Sequence, residues 1–245
     1  MKVTVPNYST DGSSLSEERC QQICLVYDLC NRLGDRLTSY KDIQNIAVEE
    51  QIFGSAKADS VIRTIFPLLK KLGFVSYPDN GEFKASSFFT DTGKSFILAL
   101  KAMEEAKSLN EEAAITEVHD AIEMIMQLGI THLAASDYKS HNILLAIEIL
   151  RLEREIYWNE ILYILSLVQT GTPIATAIQM AKEFRITNEI FEYFNTKGID
   201  IKNTAYSYVR SFLAEAGIIT SGKGMYSKLN PNAFEFINSL PHYGC

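Results

Sequence analysis

Two pairs of segments in this chain share one pattern of residues, and this internal repeat limits the folds that the chain can adopt. Residues 68–75 and 212–219 both carry an apolar helical pattern that ends at a glycine and continues into a short apolar run, at an offset of 144. Residues 90–97 and 230–237 repeat one another at an offset of 140. The difference between the offsets falls in a shorter turn at 221–224, where a change in length costs little. The repeat therefore predicts two copies of one fold.

Three helices are predicted before residue 73, the glycine of the first repeated segment. Ser14 and Glu17 match a capping box at the start of the first helix, and Ser39 with Asp42 matches a weaker cap for the second. Gly73 ends the third helix. The predicted ranges are 16–33, 39–47 and 55–72.

A β-hairpin and a fourth helix are predicted after Gly73. Residues 74–77 and 82–89 read as two strands, and the Pro-Asp-Asn-Gly sequence at 78–81 is typical of the turn between them. Thr90 is placed to cap the following helix. Its apolar residues at helical spacing are Phe96, Ile97, Leu100 and Met103.

The order of three helices, a hairpin and a helix resembles that of winged-helix proteins. The residues that carry the resemblance are Leu-Leu-Lys-Lys-Leu-Gly-Phe-Val at 68–75 and Phe-Phe-Thr-Asp-Thr-Gly-Lys at 88–94. They look like the end of the third helix and the second wing strand with its following helix. The resemblance is to a superfamily and not to one family. Together with the repeat, it implies a mainly α chain with small β-hairpins (α+β), built as tandem winged-helix domains joined by a helical bridge.

The expected domains are a first winged helix at 14–108, the helical bridge at 109–185 and a second winged helix at 186–245. The first helices of the second domain could also be drawn from 155–185. The spacing of apolar residues predicts bridge helices at 111–128 and 141–169, the latter as one helix or two. Such an apolar bridge is expected to pack the two halves together or to form the surface of a homodimer.

Two local features divide the predicted bridge. The segment from Gly129 to Tyr138 reads as a break between its first two helices. Thr172 and Pro173 open a further helix, because proline is favoured at the first helical position. A last helix, from about 203 to 216, precedes the second wing.

Composition narrows the class of function. The chain is 47% hydrophobic, which is enough for a core and excludes a disordered tail or a fibre. Its 23 Lys and Arg against 30 Asp and Glu give a formal charge of −7. A net acidic chain has no global attraction to phosphate, so binding to nucleic acid would need a local basic patch.

The cysteines and the absence of apolar spans indicate a compartment. Cys20, Cys24 and Cys30 lie on one predicted helix, Cys245 lies near the end, and no spacing matches a paired metal site. The polar start carries no apolar leader, and polar residues interrupt the longest apolar stretch, at 156–168. We therefore expect a reduced, cytoplasmic protein that makes no membrane contact.

Two short motifs resemble catalytic elements but lack the residues that the chemistry needs. The segment 91–95 resembles the tail of a phosphate-binding loop, yet Phe88 stands where the first glycine of that loop should be. We interpret it as a helix cap. Glu82 and Lys84 match part of a metal-dependent nuclease site, but no aspartate lies on a suitable preceding strand. Alternating charge on a solvated hairpin is the preferred interpretation.

No other catalytic arrangement stands out. His132, Asp137 and His141 are close in sequence but lack the spacing that would align them on a metal. No Ser-His-Asp or Cys-His arrangement has a supporting motif. The sequence therefore predicts a protein without enzymatic activity, metal or cofactor.

The winged-helix resemblance points to candidate DNA-contacting residues. A recognition helix enters the major groove with its amino-terminal part, and the wing contacts the backbone or the minor groove. The second recognition helix is the more DNA-like, since its side chains are polar, basic or aromatic. The candidates are Lys57, Ser60 and Arg63 in the first copy, Lys202, Asn203, Tyr206, Ser207 and Arg210 in the second recognition helix, and Lys223 and Lys228 in the second wing.

Two functions of different classes remain open. The first is a double-stranded DNA-binding protein, either a regulator of transcription or the recognition part of a larger system. The second is a protein-interaction subunit of a chromosome-organising or defence complex, similar to the tandem winged-helix subunits that bind kleisins. The basic second recognition helix favours DNA, whereas the net acidic charge favours a protein partner.

Overall fold

The computed structural model of the chain describes residues 15–54, 58–136, 142–187, 204–220 and 226–243. These residues are mainly helical, with small antiparallel sheets, which confirms the α+β class. The described residues divide into two compact units, with the boundary between Tyr138 and Lys139. The described residues 15–136 are called the first unit below, and residues 142–243 the second unit. The domain boundaries drawn around a separate bridge stay a prediction.

The first unit contains five helices and one pair of short strands within its described residues. The strands β1 and β2 are antiparallel, and an isolated bridge joins Val75 to Phe89. The elements in chain order are α1 (Glu17–Leu33), β1 (Leu37–Thr38), α2 (Tyr40–Glu49), α3 (Ala58–Lys71), β2 (Phe83–Lys84), a 3-10 turn (Ala85–Ser87), α4 (Asp91–Leu109) and α5 (Glu112–Ala135).

Aromatic side chains from separate elements fill the core of the first unit. Phe66 of α3 packs on Phe88 with ring centroids 5.5 Å apart, and Phe74 packs on Phe96 of α4 at 5.0 Å. All four rings are buried. The apolar faces predicted for α3 and α4 therefore meet in one core, which the residues after Gly73 complete.

The predicted cap of α2 is confirmed. The Ser39 side chain accepts a hydrogen bond from the N–H of Asp42 at 3.2 Å, and the Asp42 carboxylate accepts one from the N–H of Ser39 at 2.9 Å. The Ser39 hydroxyl also donates to the same carboxylate. Chiefly because of this hydroxyl contact, the pKa of Asp42 lies below its ordinary value.

We expect Ser39→Ala to lower the free energy of unfolding by about 1 kcal/mol, the usual value of an N-cap. Since the pKa of Asp42 is lower in the folded chain, its contribution is present above the unfolded value and is lost as the pH falls through the folded value. The deficit should therefore shrink in acid. Urea titrations at neutral and acidic pH measure it, with Ser95→Ala, an exposed serine that caps no helix end, as the control.

The start of α1 differs from the prediction. The N-cap is Ser16, whose side chain accepts a hydrogen bond from the N–H of Arg19 at 3.3 Å, and not Ser14. Glu17 is consequently the first residue of the helix and cannot complete a capping box. Two serines two positions apart gave the sequence two possible starts.

The predicted strand over residues 82–89 is also wrong in part. Phe83 and Lys84 form a strand that pairs with β1, which was not predicted, and of the remaining residues Phe89 forms only an isolated bridge with Val75. The chain then turns at Ala85, whose N–H donates to the carbonyl of Arg36 at 3.1 Å and whose side chain is buried. This contact ends the strand and places Phe88 and Phe89 in the core.

Helix α5 continues through the predicted break at Gly129 and ends at Ala135. A Cβ at Gly129 would lie 2.9 Å from a ring carbon of Phe74. The glycine therefore allows α5 to approach the core and does not interrupt the helix. The predicted break was wrong because a glycine in a helical pattern can either end the helix or allow another side chain to pack closely against it.

The second unit has the same mixture of helices and short strands. Its three strands form an antiparallel sheet in the order β3–β5–β4. The described elements are α6 (Asn142–Glu153), β3 (Glu155–Tyr157), a 3-10 turn (Trp158–Glu160), α7 (Ile161–Gln169), α8 (Ile174–Thr187), α9 (Thr204–Glu215), β4 (Ile219–Thr220), β5 (Tyr226–Leu229), a 3-10 turn (Pro231–Ala233) and α10 (Phe234–Ser239).

Several predicted elements of the second unit are confirmed in outline. The apolar pattern at 141–169 forms two helices, α6 and α7, which are separated by β3. Arg154, with φ of 65°, turns the chain from α6 into β3. Behind the sheet, Trp158 is buried and its indole N–H donates to the Ser227 hydroxyl at 3.0 Å. The predicted second wing turn at 221–224 lies outside the described residues.

In both units the chain leaves a helix at a glycine through the same hydrogen bonds. In the first unit the N–H of Gly73 donates to the carbonyl of Lys70 at 3.0 Å, and the N–H of Phe74 donates to that of Leu69 at 2.8 Å. In the second unit the bonds from Gly217 to Ala214 and from Ile218 to Leu213 are each 2.9 Å. Both glycines have positive φ, 72° and 64°, where a side chain would be strained.

A second pair of hydrogen bonds holds the far end of each connection. The side chain of Thr90 donates to the carbonyl of Gly73 at 2.7 Å, and that of Asn230 donates to Gly217 at 2.8 Å. The backbone N–H groups of Thr90 and Asn230 donate to Phe74 and Ile218. The sequence repeat thus corresponds to a repeat of geometry.

Candidate nucleic-acid interface

Helix α9 is the candidate recognition helix of the second unit, and its burial pattern shows which side faces the core. Val209, Phe212, Leu213 and Ala216 are fully buried. Arg210 follows Val209 by about 100° around the helix and is only half-buried. Arg210 thus lies at the margin of the core face.

The candidate DNA-contacting residues are described to different extents. The side chains of Arg63, Arg210 and Lys228 are described, and Arg63 and Lys228 are exposed. Ser60 lies in α3 and Tyr206 and Ser207 lie in α9, as helical backbone. Lys57, Lys202, Asn203 and Lys223 lie outside the described residues.

The three-stranded sheet of the second unit has one buried and one open face. Ile156, Ser227 and Leu229 point inward and are buried. The alternate positions form the open face, with Lys228 paired in register with Glu155 on one side and Thr220 on the other. Lys228 therefore lies on the central strand of this face, where its side chain is exposed.

Two tyrosine rings lie beside Lys228 on this open face. The Lys228 ammonium is 5.9 Å from the Tyr226 ring centroid, and the Tyr226 ring is 4.9 Å from that of Tyr157. The Tyr226 hydroxyl donates to the Glu155 carboxylate at 2.9 Å. That contact occupies the carboxylate opposite Lys228.

An ion pair joins α8 to the 3-10 turn that follows β3. Arg185 donates two hydrogen bonds to Glu160, at 2.6 and 2.8 Å, and its guanidinium carbon is 3.4 Å from the Tyr157 ring centroid. The Glu160 side chain is only 4% exposed. This hydrogen bonding, partly offset by burial, raises the pKa of Arg185 above its ordinary value. This pair was not predicted, because no sequence pattern links residues so far apart along the chain.

The formal charge of the chain is concentrated in one part of the sequence. Residues 1–138 contain 13 Lys and Arg against 20 Asp and Glu, whereas residues 139–245 contain 10 of each. The whole charge of −7 therefore falls before residue 139. Buried or half-buried carboxylates of the second unit are also matched by cations. The ion pairs are Glu148–Arg151, Glu153–Lys182 and Glu160–Arg185.

The region around the predicted turn at 78–81 of the first unit is less suited to binding phosphate. Lys70 forms an ion pair with Asp79 at 2.6 Å, and Lys84 forms one with Asp35 at 3.0 Å. Hydrogen bonding to Lys70 holds the pKa of Asp79 below its usual value, so the carboxylate stays charged. Lys70 and Lys84, on either side of this turn, are therefore both paired with carboxylates.

The other motifs have packing roles in the structure. Thr90 caps α4, as interpreted from the sequence, and accepts a hydrogen bond from the N–H of Gly93 at 3.1 Å. The His132 ring lies over Gly73, with Nδ1 3.1 Å from the carbonyl oxygen of Lys71. Burial raises the pKa of Cys30 to about 12, so its thiol is un-ionised near neutral pH. Among the described residues, no three His, Cys, Asp or Glu side chains are grouped to hold a metal.

Comparisons of the chain with protein-family models, with curated proteins and with solved structures find no match. None of the described helices combines the length and the apolar character that crossing a bilayer requires.

Proposed function

We propose that the chain is a non-enzymatic protein that binds double-stranded DNA through its second unit, with each unit built as a winged helix. It would act as a regulator or as the DNA-recognition part of a larger system. The observation that carries the proposal is the repeated connection from helix to wing strand. In both units a helix ends at a glycine with positive φ and continues, through equivalent hydrogen bonds, toward the wing.

The strand pairing supports the same arrangement. In each unit the strand that follows the first helix pairs antiparallel with the strand beyond the wing, as β1 with β2 and β3 with β5. In winged-helix proteins the helix before the wing is the recognition helix. By this reasoning α3 and α9 are the recognition helices.

Charge and burial favour the second unit as the DNA-binding one. Residues 139–245 contain as many basic as acidic residues, and several carboxylates of the second unit are held in ion pairs. Lys228 lies exposed on the central strand of the sheet. A phosphate that approaches this unit therefore meets cations without the repulsion that the first unit would add.

Fluorescence anisotropy with a labelled random-sequence duplex tests the proposal. We expect the full chain to bind at about 50 mM salt and much more weakly at about 200 mM, since phosphate contacts release counterions. Lys228→Ala should weaken binding to all sequences alike and make the salt dependence shallower by about one phosphate contact.

Lys107→Ala is the matched control for this substitution. It removes the same charge from α4 of the first unit, where Lys107 is exposed like Lys228, and should leave the salt dependence unchanged. An unaltered slope for Lys228→Ala would remove β5 from the interface. If the parent chain does not bind at low salt, the DNA proposal is wrong.

A protein-interaction subunit is the second candidate function. The observation that favours it is the confinement of the net charge to residues before 139. Such a surface repels DNA and attracts basic protein segments. The two functions are compatible, because they would use different units.

A further inference from the structure

Helices α4 and α5 form an antiparallel hairpin whose outer face carries exposed apolar side chains. Leu98 of α4 is 63% exposed, and Met124 and Leu128 of α5 are 61% and 60% exposed. Isolated exposed apolar residues are ordinary, but a group on one face marks an interaction surface.

Helical spacing places these side chains together. Leu98 is about 200° around α4 from buried Phe96, and Met124 is about 200° around α5 from buried Ile122, so both point away from the core. From the turn between the helices, Leu98 lies about 17 Å along α4 and Met124 about 18 Å along α5. The two residues are therefore level with each other on one surface. Leu128 extends it by one turn.

Acidic residues flank this apolar patch on the same face. Glu105 lies seven residues after Leu98 and Glu117 seven residues before Met124, which is two turns along each helix. Both side chains are exposed, and neither forms an ion pair with a described residue.

The hairpin as a whole is strongly acidic. Residues 91–135 contain eight Asp and Glu against three lysines. Each lysine is already engaged, as Lys94 with Asp91, Lys101 with Asp28 and Lys107 with Glu17. An approaching partner therefore meets apolar side chains beside negative charge that no described cation compensates.

We propose that the outer face of the α4–α5 hairpin binds an amphipathic helix of a partner protein that carries leucine-like residues on one face and lysine or arginine on its flanks. Its apolar side chains cover Leu98, Met124 and Leu128, and its basic flank pairs with Glu105 and Glu117. A second copy of this chain would bring like charges together and is disfavoured. The inference is independent of DNA binding and gives the second candidate function its surface.

Binding of synthetic helical peptides to the full chain tests the proposal. The probe is a labelled peptide of about five turns with leucines on one face and lysines on the other, and its counterpart has glutamates in place of the lysines. We expect micromolar binding of the lysine peptide and none of the glutamate peptide. The double substitution M124S and L128S should weaken binding about tenfold, since it removes two apolar side chains that the peptide would bury.

The control is Leu37→Ser, an exposed leucine of the same unit that lies on β1 outside the hairpin, which should bind the peptide like the parent. The charge substitutions E105K and E117K should reverse the preference toward the glutamate peptide. Equal binding by the parent chain and the M124S/L128S chain would overturn the proposal. So would sedimentation that shows a dimer of the parent and a monomer of that variant, because a second copy would then occupy the face.

Discussion

The Gly93→Ala variant should lose about 3 kcal/mol or more of unfolding free energy in the first unit. A Cβ at Gly93 would lie 1.8 Å from the carbonyl oxygen of Phe74 and 2.8 Å from its carbonyl carbon. That oxygen also accepts the N–H of Thr90. Because the obstacle is backbone, a change of rotamer cannot relieve the overlap, and α4 must move away.

Thermal and urea unfolding followed by circular dichroism measure this loss. Gly54→Ala is the control, since its Cβ would meet nothing within 4 Å, although its φ of 63° carries strain. It should cost about 1 kcal/mol. Equal stability of the Gly93→Ala chain and the parent would show that α4 does not pack on Phe74 as described.

The Arg185→Leu variant should lose about 3 kcal/mol in the second unit. Leucine keeps much of the apolar contact with Tyr157 but leaves the buried Glu160 carboxylate without its two charged hydrogen bonds. Arg185 is about one-third exposed, so water recovers part of the loss and the value lies at the low end for a buried pair. Lys182→Leu, which removes a more exposed ion pair with Glu153, should cost less than about 1 kcal/mol.

A double variant separates charge from packing at this site. If the uncompensated Glu160 carboxylate causes the loss, E160L combined with R185L should recover a large part of the stability of Arg185→Leu alone. Additive losses in urea titrations would instead assign the effect to side-chain packing.

The sequence was sufficient where structure depends on nearby residues. Ser39 with Asp42 and Thr90 with Gly93 are bonded across three positions, so their capping roles could be predicted from the pattern. The repeat around Gly73 and Gly217 was also visible, because an αL turn after an apolar helix favours glycine.

Structure that depends on distant residues could not be predicted in the same way. The strands β1 and β3 are two and three residues long, and their partners lie far along the chain, as Leu37 with Lys84. Gly129 has the pattern of a helix break, and only the position of the Phe74 ring gives it a packing role. At the candidate interface, the ion pair between Glu160 and Arg185 likewise arises from tertiary contacts alone.

Trp158 provides a fluorescence signal that reports on the second unit. It is the one tryptophan of the chain, it is buried in the second unit, and its indole N–H is bonded to Ser227. Fluorescence excited at the red edge of the tryptophan band therefore follows the second unit alone, whereas circular dichroism follows the helices of both. The Trp158 emission maximum should shift to longer wavelength when the second unit unfolds, and Arg185→Leu should lower the temperature of this transition. In the Gly93→Ala chain the Trp158 emission maximum should keep its folded-state wavelength while the ellipticity of the first unit's helices is lost. The two signals therefore give two melting curves from one sample.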